Sequence, residues 1–317
     1  MSSWQLPEGI DELTGKNAAK FERIRRQLID LYSDNGYELV IPPMVENVDS
    51  MLLNSSEVNE KTFKFLDPAS GKMLGVHADI TPQIARIDAK RGGDTQQKYC
   101  YVNAILQTRA DDFYASRSPI QAGAELYGSN DTASDLEAID LMLQSMTVLE
   151  ISPVVLSIGH VAIFNTLLKG EDISPEQASQ LRQIFVKRST PDLNVFIANN
   201  TLANAKKFIK LMELEGGAEI LEEALSVFAD FEPIQNAISE LQSMHAHLEK
   251  TGVEVVYDLA EIKAYGYHNG VIFSAYNQNY SKALAQGGRY NGIGESFGQS
   301  RAATGFSFDL KFLSQNK

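Results

Sequence analysis

Two apolar runs, KYCYVNAILQTR over 98–109 and PIQAGAELYG over 119–128, flank the short polar stretch ADDFYASRS, and this arrangement constrains the fold most. Strand-length runs joined by a polar loop pair as an antiparallel hairpin. Alternate residues of a strand point to one side, so Gln121, Gly123 and Glu125 share a face.

The segments around the hairpin follow the same logic. Residues 17–36 place Phe21, Ile24, Leu28 and Leu31 three and four apart, one face of an amphipathic helix that Asn35-Gly36 stops. YELVIPP is an extended run closed by a rigid proline corner. TFKFLD, PASGK and MLGVH read as strand, turn and strand. A helix over 81–91 begins at Thr81-Pro82, a capping residue followed by one suited to the first helical position. Residues 132–150 read as a helix capped by Thr132, with Asp135 three residues on. From 171 to 250 helical periodicity dominates, broken by Pro175, Pro191 and Gly216-Gly217. Strands return in VEVVYDL and GVIFSAYNQ, followed by a glycine-rich turn, QGGRYNGIG, and a last helix from Phe306. Strands precede and follow the helices without βαβ alternation. The expected class is α+β, an antiparallel sheet flanked by helices, with 1–170 and 251–317 as the core and 171–250 as a helical insertion.

Composition narrows the function. The 41 acidic residues outnumber 28 basic ones, giving a net charge of −13, and Arg25-Arg26 is the longest basic run. A chain that grips a large RNA needs a basic face to offset phosphates, so tRNA is not expected as a partner. The single cysteine, Cys100, excludes an internal disulfide and a cysteine-based metal cage, and its apolar surroundings point to packing. No apolar run reaches membrane-spanning length and no signal segment opens the chain, so a cytoplasmic location is expected.

Six blocks then carry a resemblance. The first helix, GYELVIPPMVEN, ADITPQIAR, AILQTR…RSPIQAGAELYG, YGYHNGVIF and AQGGRYNGI occur in the order found in the class II histidyl-tRNA synthetase core. The resemblance covers nearly the whole chain and implies that core's antiparallel sheet. It also implies no anticodon-binding domain, because the sequence ends soon after the final helix.

The departures from that family bear on chemistry. The resemblance puts Gln107 where the synthetases carry the arginine that holds the ATP α-phosphate, a bidentate cation neutralising charge at phosphorus. Phe312, beside Lys311, stands where an arginine would stack on adenine. Lys263 is the basic residue nearest a third arginine's place, and lysine substitutes only partly for a guanidinium fork. Losing one such group costs ~100- to 1000-fold in rate, so adenylate formation is not expected. The amino-acid pocket implied by the resemblance is retained: Asp79, Thr81, Gln121 and Glu125, with Tyr267-His268 against the imidazole and Tyr290 closing it. A kept pocket beside a dismantled ATP site resembles the regulatory subunits of ATP phosphoribosyltransferase. That resemblance implies a chain that is not itself an enzyme. Its expected partners are a short-form catalytic subunit, a second copy of itself, and L-histidine as ligand, with no cofactor. The alternatives are a working histidyl-tRNA synthetase-like enzyme and a scaffold without an amino-acid ligand.

Single residues admit blander readings. Asp79 and Thr81 can equally cap the helix that follows. Glu125 can face solvent, although its alternation with Gln121 between apolar neighbours favours a pocket. Arg109 and Arg117 can bind an anion or pair with Asp111, Asp112 or other acids. His245 and His247, two apart on a helix, cannot share a face as metal ligands. His160 at a strand end reads as structural. Gly292-x-Gly294 lacks a third glycine and a βαβ context, so no dinucleotide site is expected.

Overall fold

The computed structural model describes residues 4–51, 56–110, 115–262 and 268–315. The chain forms two compact units, Met1–Asn130 with Asp140–Ser152 and Asn291–Lys317, and Asp131–Ile139 with Pro153–Tyr290.

The first unit opens with α1 (Gly15–Asp34), whose Ile24, Leu28 and Tyr32 are buried. Its end is capped by the Asn35 N–H on the Leu31 carbonyl, and Gly36 supplies the positive φ of +81° that turns the chain out of the helix. The strand that follows, β1 (Glu38–Leu39), is only two residues long. Pro42 and Pro43 have no N–H to offer a ladder and cut it short. β1 pairs in parallel with β5 (Gln97–Ala104), which pairs antiparallel with β6 (Ile120–Tyr127), which pairs antiparallel with β12 (Ala303–Asp309). A smaller antiparallel sheet holds β2 (Val45–Asn47), β4 (Met73–Val76) and β3 (Phe63–Leu66) in that spatial order. Short helices α2 (Val48–Met51) and α3 (Ser56–Lys61), the longer α4 (Thr81–Arg91) and the last helix α12 (Leu310–Gln315) complete this unit. Tyr32 sits in its core, with its ring edge-on to Phe306 at 6.2 Å and its hydroxyl 3.1 Å from Ser145 Oγ. α5 (Thr132–Val148) runs across the chain's division into units.

The second unit has the strand order β11 (Ala285–Arg289), β10 (Val271–Tyr276), β7 (Val155–His160), β9 (Glu254–Asp258) and β8 (Glu215–Gly216). Between β7 and β9 come α6 (Val161–Lys169), α7 (Pro175–Val186), α8 (Thr190–Asn199), α9 (Ala205–Glu213), α10 (Glu219–Val227) and α11 (Glu232–Thr251). Phe164, Phe185 and Phe208 pack as a triangle with ring centroids 4.7–6.0 Å apart, joining α6, α7 and α9. His160 is structural: its Nδ1 accepts the Ala162 N–H at the start of α6, and its Nε2 lies 3.2 Å from Glu240 on α11.

Four expectations need correction. The pairing is not purely antiparallel: β7 and β9 run parallel because a helical crossover joins them, and β1 and β5 are also parallel. The last helix starts at Leu310, and Phe306 and Phe308 belong to β12, a strand mostly buried on both faces and therefore without the alternation that would reveal it. Nearly half of the glycine-rich turn is strand, since β11 runs to Arg289 and its residues 285–288 pair with β10, and the turn is confined to residues around Gly292 at φ +98°. Asp131, rather than Thr132, caps α5, with its Oδ1 taking the Ser134 N–H at 2.9 Å.

Candidate functional site

In the first unit, four residues singled out from the sequence meet on one side of the sheet. The register of β6 sets Glu125 beside Tyr99 and Gly305, Gly123 beside Tyr101 and Ser307, and Gln121 beside Asn103 and Asp309. Glu125 is almost fully buried, and its Oε1 accepts from Thr81 Oγ1 at 2.7 Å and from the Tyr101 hydroxyl at 3.0 Å. Gln121 donates through Nε2 to Asp79 Oδ1 at 2.9 Å and to Ser307 Oγ at 3.0 Å, while its Oε1 takes the Ile80 N–H at 3.0 Å. The 79–81 segment and the β6 strand are thus stitched together by side chains. Thr81 does not cap α4, because its hydroxyl is turned into Glu125.

Burial pushes the Asp79 carboxyl above its ordinary value, partly offset by the hydrogen bonds from Gln121 and the Thr81 backbone. Burial, with the Glu125 and Asp79 charges, holds the Tyr101 phenol far above its usual range, so it stays a donor. Two carboxylates, an amide, a hydroxyl and a phenol converge, and they are suited to a ligand rich in N–H donors.

The other residues singled out from the sequence, His268 and Tyr290, lie in the second unit. His268 and Tyr290 have rings perpendicular at 6.2 Å, and a side chain at Gly288 would collide with the His268 ring. Tyr267, like Lys263, Asp111 and Asp112, lies outside the described residues.

At the positions where the resemblance puts the synthetase arginines, the polar groups are engaged within the chain. Gln107 is buried, donates to the Ala78 carbonyl at 3.2 Å and is neutral. Lys311 is buried with Nζ 2.8 Å from Asp11 Oδ1 and 2.8 Å from the Ser118 carbonyl. Burial would raise Asp11, but the hydrogen bonds from Lys311 and Ser116 hold its carboxyl below the usual range. Phe312 is half-buried. Arg109 pairs with Glu60 at 3.0 Å, both well exposed, while Arg117 donates to the Gln107 and Glu8 carbonyls and lies over the Phe63 ring at 5.2 Å. Cys100 is buried and its thiol is pushed up to about 12 by that burial, which suits packing and not reactivity. Among the described residues no group of three or more His, Cys, Asp and Glu could hold a metal, and no helix is long and apolar enough to cross a membrane.

Three residues escaped the sequence reading. Tyr101 and Ser307 face the site only through strand register, although Tyr101 alternates with Tyr99 along its strand. Arg289 is buried in the second unit, with Nε 3.0 Å from Asp135 Oδ2 and Nη2 2.8 Å from Ser134 Oγ. A charged residue inside a glycine-rich apolar run was the available signal.

The Histidyl-tRNA synthetase family profile matches residues 9–313. An ATP phosphoribosyltransferase regulatory subunit from Thiobacillus denitrificans is 40% identical over 99% of this chain and 98% of its own length. Its counterpart from Methylococcus capsulatus is 41% identical over 98% of this chain and 78% of its own length. The crystal structure of an ATP phosphoribosyltransferase regulatory subunit/histidyl-tRNA synthetase from Bacillus halodurans, 24% identical, superposes with a TM-score of 0.89 over 99% of this chain and 84% of that one.

Proposed function

The chain belongs to the ATP phosphoribosyltransferase regulatory subunits, within the histidyl-tRNA synthetase family, and from that premise we propose that it reports histidine to a catalytic partner through the Asp79–Thr81–Gln121–Glu125 cluster. It is a regulatory, non-catalytic subunit of the enzyme that opens histidine biosynthesis, built on the class II synthetase fold.

One observation supports the sensing role: the carboxyl and amide groups of Asp79, Gln121 and Glu125 converge with the Thr81 hydroxyl, while Gln107 is neutral and Lys311 is paired with Asp11. Glu125 and Asp79 supply the negative charge that an α-ammonium or imidazole N–H requires, and Gln121 and Thr81 supply direction. Arg109 and Arg117 are left as residues that bind their own neighbours.

Two further parts belong to the same reading. The partner is a short-form catalytic subunit, met in the cytoplasm. A second copy of this chain associates through the proline corner and the small sheet, where Ile41 is 72% exposed, Leu66 is 61% exposed, and Met44 and Met73 are also exposed.

Calorimetric titration with L-histidine tests the sensing role. The wild-type chain should give a saturable heat, and Glu125→Gln should weaken binding by tenfold or more, the value of a hydrogen bond to a charged group. Equal affinity in both proteins would remove Glu125 from the site, and no heat in either would leave a scaffold that does not bind the amino acid.

A further inference from the structure

We propose that Tyr101 is the internal competitor of the ligand: its phenol donates to the Glu125 carboxylate and must yield when a ligand N–H takes that oxygen. The inference deepens the histidine-sensing reading and rests on it.

The sheet is built around this contact. Tyr101 is fully buried and its hydroxyl donates to Glu125 Oε1 at 3.0 Å, on the same oxygen that Thr81 already holds at 2.7 Å. A Cβ at Gly123 would come within 2.6 Å of the Tyr101 hydroxyl, and one at Gly305 would overlap the Glu125 carboxylate. Two glycines on neighbouring strands therefore clear the space in which the phenol and the carboxylate lie flat on the sheet and meet. The result is a buried carboxylate that the chain itself supplies with donors.

An internal donor that must be displaced lowers apparent affinity by the fraction of molecules in which the carboxylate oxygen is available. Any ligand N–H that reaches Glu125 exchanges one donor for another, so the gain is the difference between two hydrogen bonds rather than one whole bond. Removing the phenol oxygen takes away a donor that the ligand N–H would otherwise have to displace from Oε1. Binding should therefore tighten. A purely structural tyrosine would act in the opposite direction, because loosening a pocket weakens its ligand.

The experiment is calorimetric titration of the full chain with L-histidine, comparing wild type, Tyr101→Phe, Glu125→Gln and the double variant. Tyr101→Phe is expected to bind about tenfold more tightly, and the gain should vanish in the Glu125→Gln background because the two residues act on one contact. Tyr101→Met serves the same comparison if the phenylalanine form does not fold. Unchanged or weaker binding in Tyr101→Phe, or a gain that survives in the double variant, would overturn the competitor role while leaving histidine sensing intact. No histidine heat from any of the proteins would overturn both.

Discussion

Asp79 keeps a carboxyl where burial disfavours its charge. Its folded-state value lies above the ordinary one, so the folded chain holds the proton more tightly than the unfolded chain does. Stability contributed by that proton is present at low pH and is lost as pH rises through the ordinary carboxylate range toward the raised folded value. Asp79→Asn keeps an oxygen for Gln121 and removes the charge. It should be more stable than wild type near neutral pH by on the order of 1 kcal/mol, with the difference shrinking in acid. Urea denaturation at neutral and acidic pH measures this, and a lower midpoint for the variant at neutral pH would contradict it. If Asp79 also holds the ammonium, that stabler protein should bind histidine less well. Arg289 presents the opposite case, a buried cation against a fully buried Asp135. Arg289→Ala leaves Asp135 without its guanidinium and should cost roughly 3–5 kcal/mol in urea, whereas a cost under about 1 kcal/mol would mean that the pair is not structural.

At the scale of elements, the Phe164–Phe185–Phe208 triangle ties α6, α7 and α9 together, and Phe208 is fully buried within it. Phe208→Ala should destabilise the second unit by about 3–5 kcal/mol, read as a lower urea midpoint. A midpoint close to that of wild type would show that α9 is held by other contacts. The helical character of 171–250 was legible from its period and from Pro175 as a break, whereas the capping box at Ser174 and the left-handed Gly252 that ends α11 are findings of the structure. The central hairpin was legible for the same reason, with apolar runs, a polar loop and one shared face for Gln121 and Glu125. β12 was not, because neighbours on both sides erase the alternation that distinguishes a strand from the start of a helix. Partners far apart in sequence were equally hidden. Nothing local to Glu125 announces Thr81, which is 44 residues away, and nothing near Arg289 announces Asp135, which is 154 residues away. The four residues of the Glu125 cluster were each singled out from the sequence, but the Tyr101 contact depended on strand register.

For the whole molecule, the account makes two demands. The apolar face around Ile41 and Leu66 should be covered by a second copy, so Ile41→Glu combined with Leu66→Glu should shift the chain from dimer to monomer in sedimentation. A dimer unaffected by both charges would place the interface elsewhere. The phosphate side should be inert, so ATP–pyrophosphate exchange with histidine should stay at background, and exchange at an enzyme-like rate would restore the synthetase reading. The most direct test of the regulatory assignment joins the two proteins. Phosphoribosyl-ATP formation by the short catalytic subunit is followed with and without this chain, and with and without L-histidine. The account predicts that the chain co-elutes with the catalytic subunit and raises its rate, and that histidine lowers the rate of the pair less effectively when Glu125→Gln replaces the wild type. No co-elution and no change in rate would contradict it.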